Sequence, residues 1–393
     1  MLATRILGQV ERRSFITGSS RGLVRHFATK RSYVTPPSNA VQEKPVVRTL
    51  KRWGNPRDYV ELAKPELSAL VITTGTWGFL LTGCVDPVAG VSTVAGLVLS
   101  AASAASWNQT SEVEYDKLML RTRTRPLPAG RLTKQQGAAF SAITGIGGVS
   151  LLFAGANPLT GALGLANIAL YGMAYTPMKR VSVYNTHVGA IVGALPVVIG
   201  WTGGGGALIA IEPAMLFSIL FAWQFPHFMG IAWKYRKDYK IAGYRMVTRD
   251  DTTGSRTAMW ARNGALVLMA IPFASTGLGM TSSMFIVSSL LPNSALMYSC
   301  YKFEKKPSSR NANFVILVGF VYLMAFLGLM FFHSTSEALA KHIDSARNVM
   351  RRVGRSMCVH ETQMTNAKIL CPAPSSDVQI SKTCPIPGTK SEK

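Results

Sequence analysis

The sequence predicts an all-α, polytopic membrane protein with nine transmembrane helices, and three observations predict it. Hydrophobic residues make up 48% of the 393-residue chain, yet its formal charge is +23. That pairing is foreign to soluble globules. The apolar residues are gathered in long, almost uncharged segments, and the basic residues crowd into the gaps and the two ends. Those gaps alternate: nineteen Lys or Arg lie in the connections after segments 2, 4, 6 and 8, and none after segments 1, 3, 5 and 7. The even connections and the N-terminus therefore share the positive-inside face. No basic stripe with interleaved aromatics occurs, which excludes a nucleic-acid-binding module.

In chain order, residues 1–40 read as a mitochondrial transit peptide. Up to Arg57 there are twelve Lys or Arg against Glu11 and Glu43 only, with Ser, Thr and short apolar pairs between them. Residues 41–58 read as a linker, 59–335 as the membrane domain, and 336–393 as a polar, disordered tail. For an imported protein the positive-inside face is the matrix side of the inner membrane. The nine spans fall near 65–83, 88–106, 137–155, 158–175, 187–203, 207–228, 258–277, 281–300 and 313–332, each approaching the twenty or so residues that cross a bilayer. The fourth span, with Gly161, Gly164 and Gly172, and the fifth, with Gly189, Gly193 and Gly200, suit close helix packing. Cysteines 84, 300, 358, 371 and 384 form no CxxC pair and read as scattered thiols.

The chemistry is concentrated in residues 108–127, NQTSEVEYDKLMLRTRTRPL, directly after the second span. Asn108, Glu112 and Asp116 recur at i, i+4 and i+8, which on a helix places them within about 80° of arc. Lys117, Arg121, Arg123 and Arg125 follow, and Pro126 and Pro128 end the helix. Alone, the stretch is either a solvated helix end whose carboxylates pair with Lys117 or Arg121, or a cation site that holds a polyanion against guanidiniums. The loop after span 6 repeats the layout, with Asp238 among Lys234, Arg236, Lys237 and Lys240 and His227 at the membrane edge. Two such loops facing one pocket suit Mg²⁺, which takes oxygen ligands and shares one or two carboxylates with substrate phosphates. The implied substrate is an allylic diphosphate with its tail in lipid. Loss of diphosphate leaves a carbocation, which needs a dry, aromatic-lined cavity; Trp107, Tyr171, Tyr175, Trp201, Phe225 and Phe228 are available.

The segment from Tyr59 to Phe332 resembles the UbiA superfamily of intramembrane prenyltransferases, and most closely its protohaem IX farnesyltransferase (haem O synthase) branch. The resemblance is carried by Lys64-Pro65, the 108–127 stretch, YTPMKRVSVYNTHVGAIVGALPVVIGWTGG from Tyr175, WQFPHF with the later Asp238-Tyr239, and Ser308-Ser309-Arg310. It implies a nine-helix bundle in which farnesyl diphosphate alkylates a vinyl group of haem B and water completes the side chain of haem O, the precursor of the haem A of cytochrome oxidase. By motif position it implies that Asn108, Glu112, Asp116 and Asp238 are catalytic and hold Mg²⁺. Lys117, Arg121, Arg125, Lys179, Arg180 and Arg310 would bind the diphosphate, and His227 would contact haem iron or a propionate. Glu112 stands where many members have Asp. The implied partners are the bilayer, haem A synthase and oxidase assembly factors. Two other functions fit parts of the sequence. A quinone-precursor prenyltransferase, acting for example on 4-hydroxybenzoate, would use the same first loop; a non-catalytic carrier or assembly protein would use only the basic loops. His187 and His333 lie at span ends and read as structural.

Overall fold

Helix ends follow local chemistry. The computed structural model describes residues 54–334. Proline opens α1 (Pro65–Leu80) and α2 (Pro87–Ser111), where its missing N–H costs nothing. The Asp86 carboxylate accepts the Val88 N–H to cap α2. Thr133 and Gln136 form a reciprocal capping box at the start of α3 (Lys134–Gly155), and Asn157 caps α4 (Pro158–Ala169) by accepting from Thr160 N. A π-turn over Leu170–Tyr175 and a short turn Thr176–Met178 prolong α4. Then come α5 (Asn185–Gly203), α6 (Ile211–Lys234), α7 (Ser255–Gly277), α8 (Met284–Lys305) and α9 (Ser309–Phe332).

These nine long helices coincide with the nine apolar segments, and no β-strand occurs among the described residues. By length and composition, five of them are able to cross a membrane: α2, α3, α5, α6 and α9. The other four fall short for visible reasons. Helix α1 has 16 residues and α4 only 12 before the π-turn, whereas α7 and α8 are long enough but less apolar, α7 carrying Arg262 and Asn263 and α8 carrying Pro292, Asn293 and four serines. The expected leader and tail lie outside the described residues. The expected linker boundary at 58 falls inside a short helix, Pro56–Leu62, whose Asp58 and Glu61 both receive Arg131.

Neighbours in sequence pack as neighbours from α1 to α9, and α6 also packs on α9 while α1 packs on α5. Small residues make the closest approaches. A Cβ on Gly78 would overlap the Val197 carbonyl, and one on Gly200 would overlap the Gly75 carbonyl, so α1 and α5 touch backbone to backbone. Between α2 and α3, Ser103 Oγ donates to Ser141 O (2.8 Å) and Ser141 Oγ to Ser103 O (2.9 Å). Helices α5 to α9 share one large core containing Leu216, Ile219, Leu268, Phe285 and Phe326, with the Trp223 indole donating to Gly319 O at 2.6 Å. Outward-facing Ile143, Ile146, Leu291 and Val321 leave an apolar exterior, as a lipid-facing surface requires.

Candidate active site

A cavity of about 980 Å³ opens among α1, α2, α4, α5 and α6. Helices α7, α8 and α9 contribute nothing to its lining and instead support α6 from behind. Most of the wall is apolar, with Leu97, Ile168, Ile199, Leu220 and Ile231; the polar groups gather where the basic loops meet the bundle.

Asn108, Glu112 and Asp116 all line this cavity and are 2%, 6% and 1% exposed. They do not share one continuous helix, as their spacing suggested. Helix α2 stops at Ser111, Glu112 leaves helical geometry at φ −103° and ψ 12°, and a separate turn Val113–Asp116 follows. The alternative of a solvated helix end is excluded by burial, and each oxygen meets a distant cation. Lys64 Nζ donates to Asn108 Oδ1 at 2.8 Å, Lys179 Nζ to Glu112 Oε1 at 2.9 Å, and Arg125 Nη1 to Asp116 Oδ2 at 2.8 Å. Buried carboxylates require such pairing.

Two of these cations, Lys64 and Lys179, are placed by unusual pieces of backbone. Lys64 is the one non-glycine residue at positive φ (50°) among the described residues, a left-handed conformation forced at the entrance to α1. Burial, together with Arg125 and Lys179, pushes its ammonium down to about 7, only partly offset by Glu112 and Asp116. Lys179 follows the π-turn, which brings Tyr171 and Tyr175 to the wall; its ammonium lies 4.6 Å from the Tyr175 ring centre. Burial opposes the Lys179 charge, but Tyr175 and Glu112 outweigh it and hold its pKa above the usual lysine value.

The second basic loop closes over the first. Met119 and Tyr115 pack with Tyr239, Tyr244 and Met246, and Arg245 N donates to Lys179 O at 2.7 Å. The Tyr244 hydroxyl is buried beside Glu112. Burial and that neighbouring charge push its phenol well above the ordinary tyrosine range, so it remains neutral.

Arg121 lines the cavity with its guanidinium 4.8 Å from the Tyr235 ring, and Arg180 stacks 4.1 Å from Tyr115 just outside the lining. Lys117 is exposed and paired with Glu114 at 3.0 Å, and Arg310 is exposed in the first turn of α9; neither lines the cavity. Nor does Asp238, expected at a second metal site: it is half-buried, and Tyr239 turns inward in its place because successive helical residues point about 100° apart. His227 lines the cavity, stacked on Trp223 at 4.8 Å. Of the six aromatics named from sequence, Tyr171, Tyr175 and Phe228 reach the wall. Trp107 is exposed, Trp201 donates to Ala207 O, and Phe225 packs on His187 and Trp260.

The donor set fits Mg²⁺: two carboxylates and an amide oxygen, all hard oxygens, with room beside them for substrate phosphates. No group of three or more His, Cys, Asp or Glu occurs among the described residues, so a cage built from protein ligands alone is not the arrangement here.

Comparison with known proteins decides the family. The sequence profile of the UbiA prenyltransferase family matches residues 70–335. The chain belongs to the UbiA prenyltransferase family. It is 35% identical over 284 residues to the mitochondrial protoheme IX farnesyltransferase of Arabidopsis thaliana, covering 72% of this chain and 66% of that one. With the human mitochondrial protein of the same name it shares 37% over 289 residues, covering 71% and 65%. The chain thus spans slightly under two thirds of these two relatives. With the protoheme IX farnesyltransferase of Solibacter usitatus it shares 36% over 286 residues, covering 70% of this chain and 97% of that one.

Solved UbiA structures share the fold at low identity. A UbiA homologue from Archaeoglobus fulgidus bound to DMAPP and Mg²⁺ matches with TM-score 0.53 at 14% identity, over 70% of this chain and 99% of that one. A digeranylgeranylglyceryl phosphate synthase matches with TM-score 0.59 at 15% identity, over 70% and 97%. Lys64, Tyr239 and Tyr244 are the site residues that sequence reasoning missed in this UbiA chain. Lys64 stood in a quoted motif without a role, and the tyrosines were masked by the acid and bases around them.

Proposed function

We propose that this protein transfers the farnesyl group of farnesyl diphosphate to a vinyl group of haem B, in a mitochondrial inner membrane with the cavity mouth toward the matrix. The observation that carries the reading is the polar end of the cavity. Three buried oxygens each meet a cation there, the buried Lys179 and the partly buried Lys64 and Arg125, above a mostly apolar chamber large enough for a prenyl chain and a macrocycle. Names of relatives at 35–37% identity support haem as the acceptor. The charge of the even connections supports the orientation.

Glu112 and Asp116, with Asn108, would hold Mg²⁺, whose charge lowers the cost of releasing diphosphate from the allylic carbon. Lys179, Arg125 and Arg121 bind the phosphate oxygens, and Lys64 supplies a further buried donor. Tyr171 and Tyr175 present ring faces to the developing allylic cation, and Leu97, Ile168 and Ile199 exclude water from it. His227, on the opposite wall, faces the haem acceptor. Incubation of the purified protein with Mg²⁺, farnesyl diphosphate and either haem B or 4-hydroxybenzoate, followed by mass spectrometry of the acceptor, tests the reading. Farnesylated haem is the expected product; its absence sinks the proposal, and farnesylated hydroxybenzoate alone would select the quinone-precursor reaction.

A further inference from the structure

Helix α6 shows the chamber two side chains, Gln224 and His227, that the chemistry at the polar end does not use. They are three residues apart, hence neighbours on one helical face, and lie roughly 10–15 Å along α6 from its basic end. Gln224 is locked. Its Nε2 donates to Ala190 O at 2.8 Å and to Leu220 O at 3.1 Å, which settles the amide orientation, since only the NH₂ can face two carbonyls. The Oε1 is then left pressed against Gly193, where a Cβ would overlap it, with no donor from any described residue. His227 is oriented too. Its Nδ1 points away from the cavity to α9, beside Gly319 and the Ile316 backbone, so Nε2 is the ring nitrogen left facing the chamber.

Two fixed acceptors in an apolar chamber need a donor, and the smallest donor that serves both is water. We propose that Gln224 Oε1 and His227 Nε2 hold the water that quenches the second carbocation of the reaction, which makes the product an alcohol and not an alkene. This rests on the prenyl-transfer reading above. The C1–O bond of the prenyl diphosphate breaks with its electron pair leaving on diphosphate. The terminal vinyl carbon of the acceptor forms the new C–C bond to C1, and the positive charge moves to the vinyl carbon attached to the pyrrole. The water oxygen bonds to that carbon while its proton passes to His227 Nε2, leaving a neutral secondary alcohol. Gln224 is a positioning residue in this step: it aims the lone pair and holds no proton. Without an aimed water the same cation discards a neighbouring proton and closes to an alkene, lighter by one water.

The test reads the ratio of alcohol to alkene among prenylated haem, which is independent of how much enzyme is folded. The full-length protein in detergent, with Mg²⁺, farnesyl diphosphate and haem B in ¹⁸O water, is compared with Gln224→Leu and with Gly193→Ala. The second variant keeps the Gln224 side chain but drives a Cβ into its amide, nearest Oε1, so it displaces the acceptor without removing it and decides the matter if the first fails to fold. The expected result is ¹⁸O in the wild-type alcohol and an alkene share raised roughly tenfold in the variants, the weight of one lost hydrogen bond to the water. An unchanged ratio in Gly193→Ala and in any folded Gln224→Leu overturns the assignment while leaving prenyl transfer intact. No prenylated haem from the wild-type protein would instead overturn the transferase reading.

Discussion

Lys179 Nζ lies 2.9 Å from Glu112 Oε1, with the two side chains 9% and 8% exposed. Neither group can be left alone at that depth: removing one partner of a buried ion pair costs about 3–5 kcal/mol. Lys179→Met therefore lowers the unfolding temperature in detergent markedly, and adding Glu112→Gln restores most of it. A single variant as stable as the wild type would show that the pair does not form. Prenyl transfer stays lost in the double variant, because the diphosphate has lost a cation.

Asp116→Asn keeps the shape and removes the charge that pairs with Arg125 and that the proposed Mg²⁺ would use. The variant inserts in membranes at wild-type levels, while diphosphate release from farnesyl diphosphate falls by about a hundredfold or more. Near-normal release would take Asp116 out of the site.

On the proposed mechanism, stripping divalent cations is expected to abolish transfer and adding Mg²⁺ to restore it. The fold is expected to survive the chelator with little change in unfolding temperature, because Lys179 and Arg125 already neutralise the two buried carboxylates without metal. Unfolding on chelation would mean that the metal is a structural ligand and not a partner of the substrate.

Glycines separate into two groups by what surrounds them. A side chain on Gly78 drives into the Val197 backbone, so Gly78→Val prevents α1 from seating on α5 and depletes folded protein. Gly328, in α9, has nothing within 4 Å of an added Cβ, and Gly328→Ala is expected to accumulate normally, with about 1 kcal/mol or less gained in helix propensity. Size-exclusion profiles of the two variants check the contrast.

Much of the fold was legible because membrane helices announce themselves by composition. All nine segments formed helices near the expected limits, five of them long and apolar enough to cross a membrane, since apolar length, proline starts and short polar gaps act locally. The site was legible in part. Asn108, Glu112, Asp116, Arg121, Arg125, Lys179 and His227 line one cavity, whereas Lys117, Arg180, Arg310 and Asp238 do not. A basic or acidic residue in the right loop can turn inward or outward, and rotating a short helix by one residue exchanges Asp238 for Tyr239.

The sequence by itself determined the helical segments, the alternation of basic and uncharged connections and the residue types available for metal and diphosphate. These properties follow from hydropathy, charge and local backbone preference, which need only a few neighbouring residues. Tertiary structure alone decided which cation meets which oxygen. Lys64 reaches Asn108 across 44 residues of chain and Lys179 reaches Glu112 across 67, through a left-handed residue and a π-turn. Such pairings come from packing α1, α2 and α4 around one chamber, where a buried charge is tolerated only if its partner is brought to it.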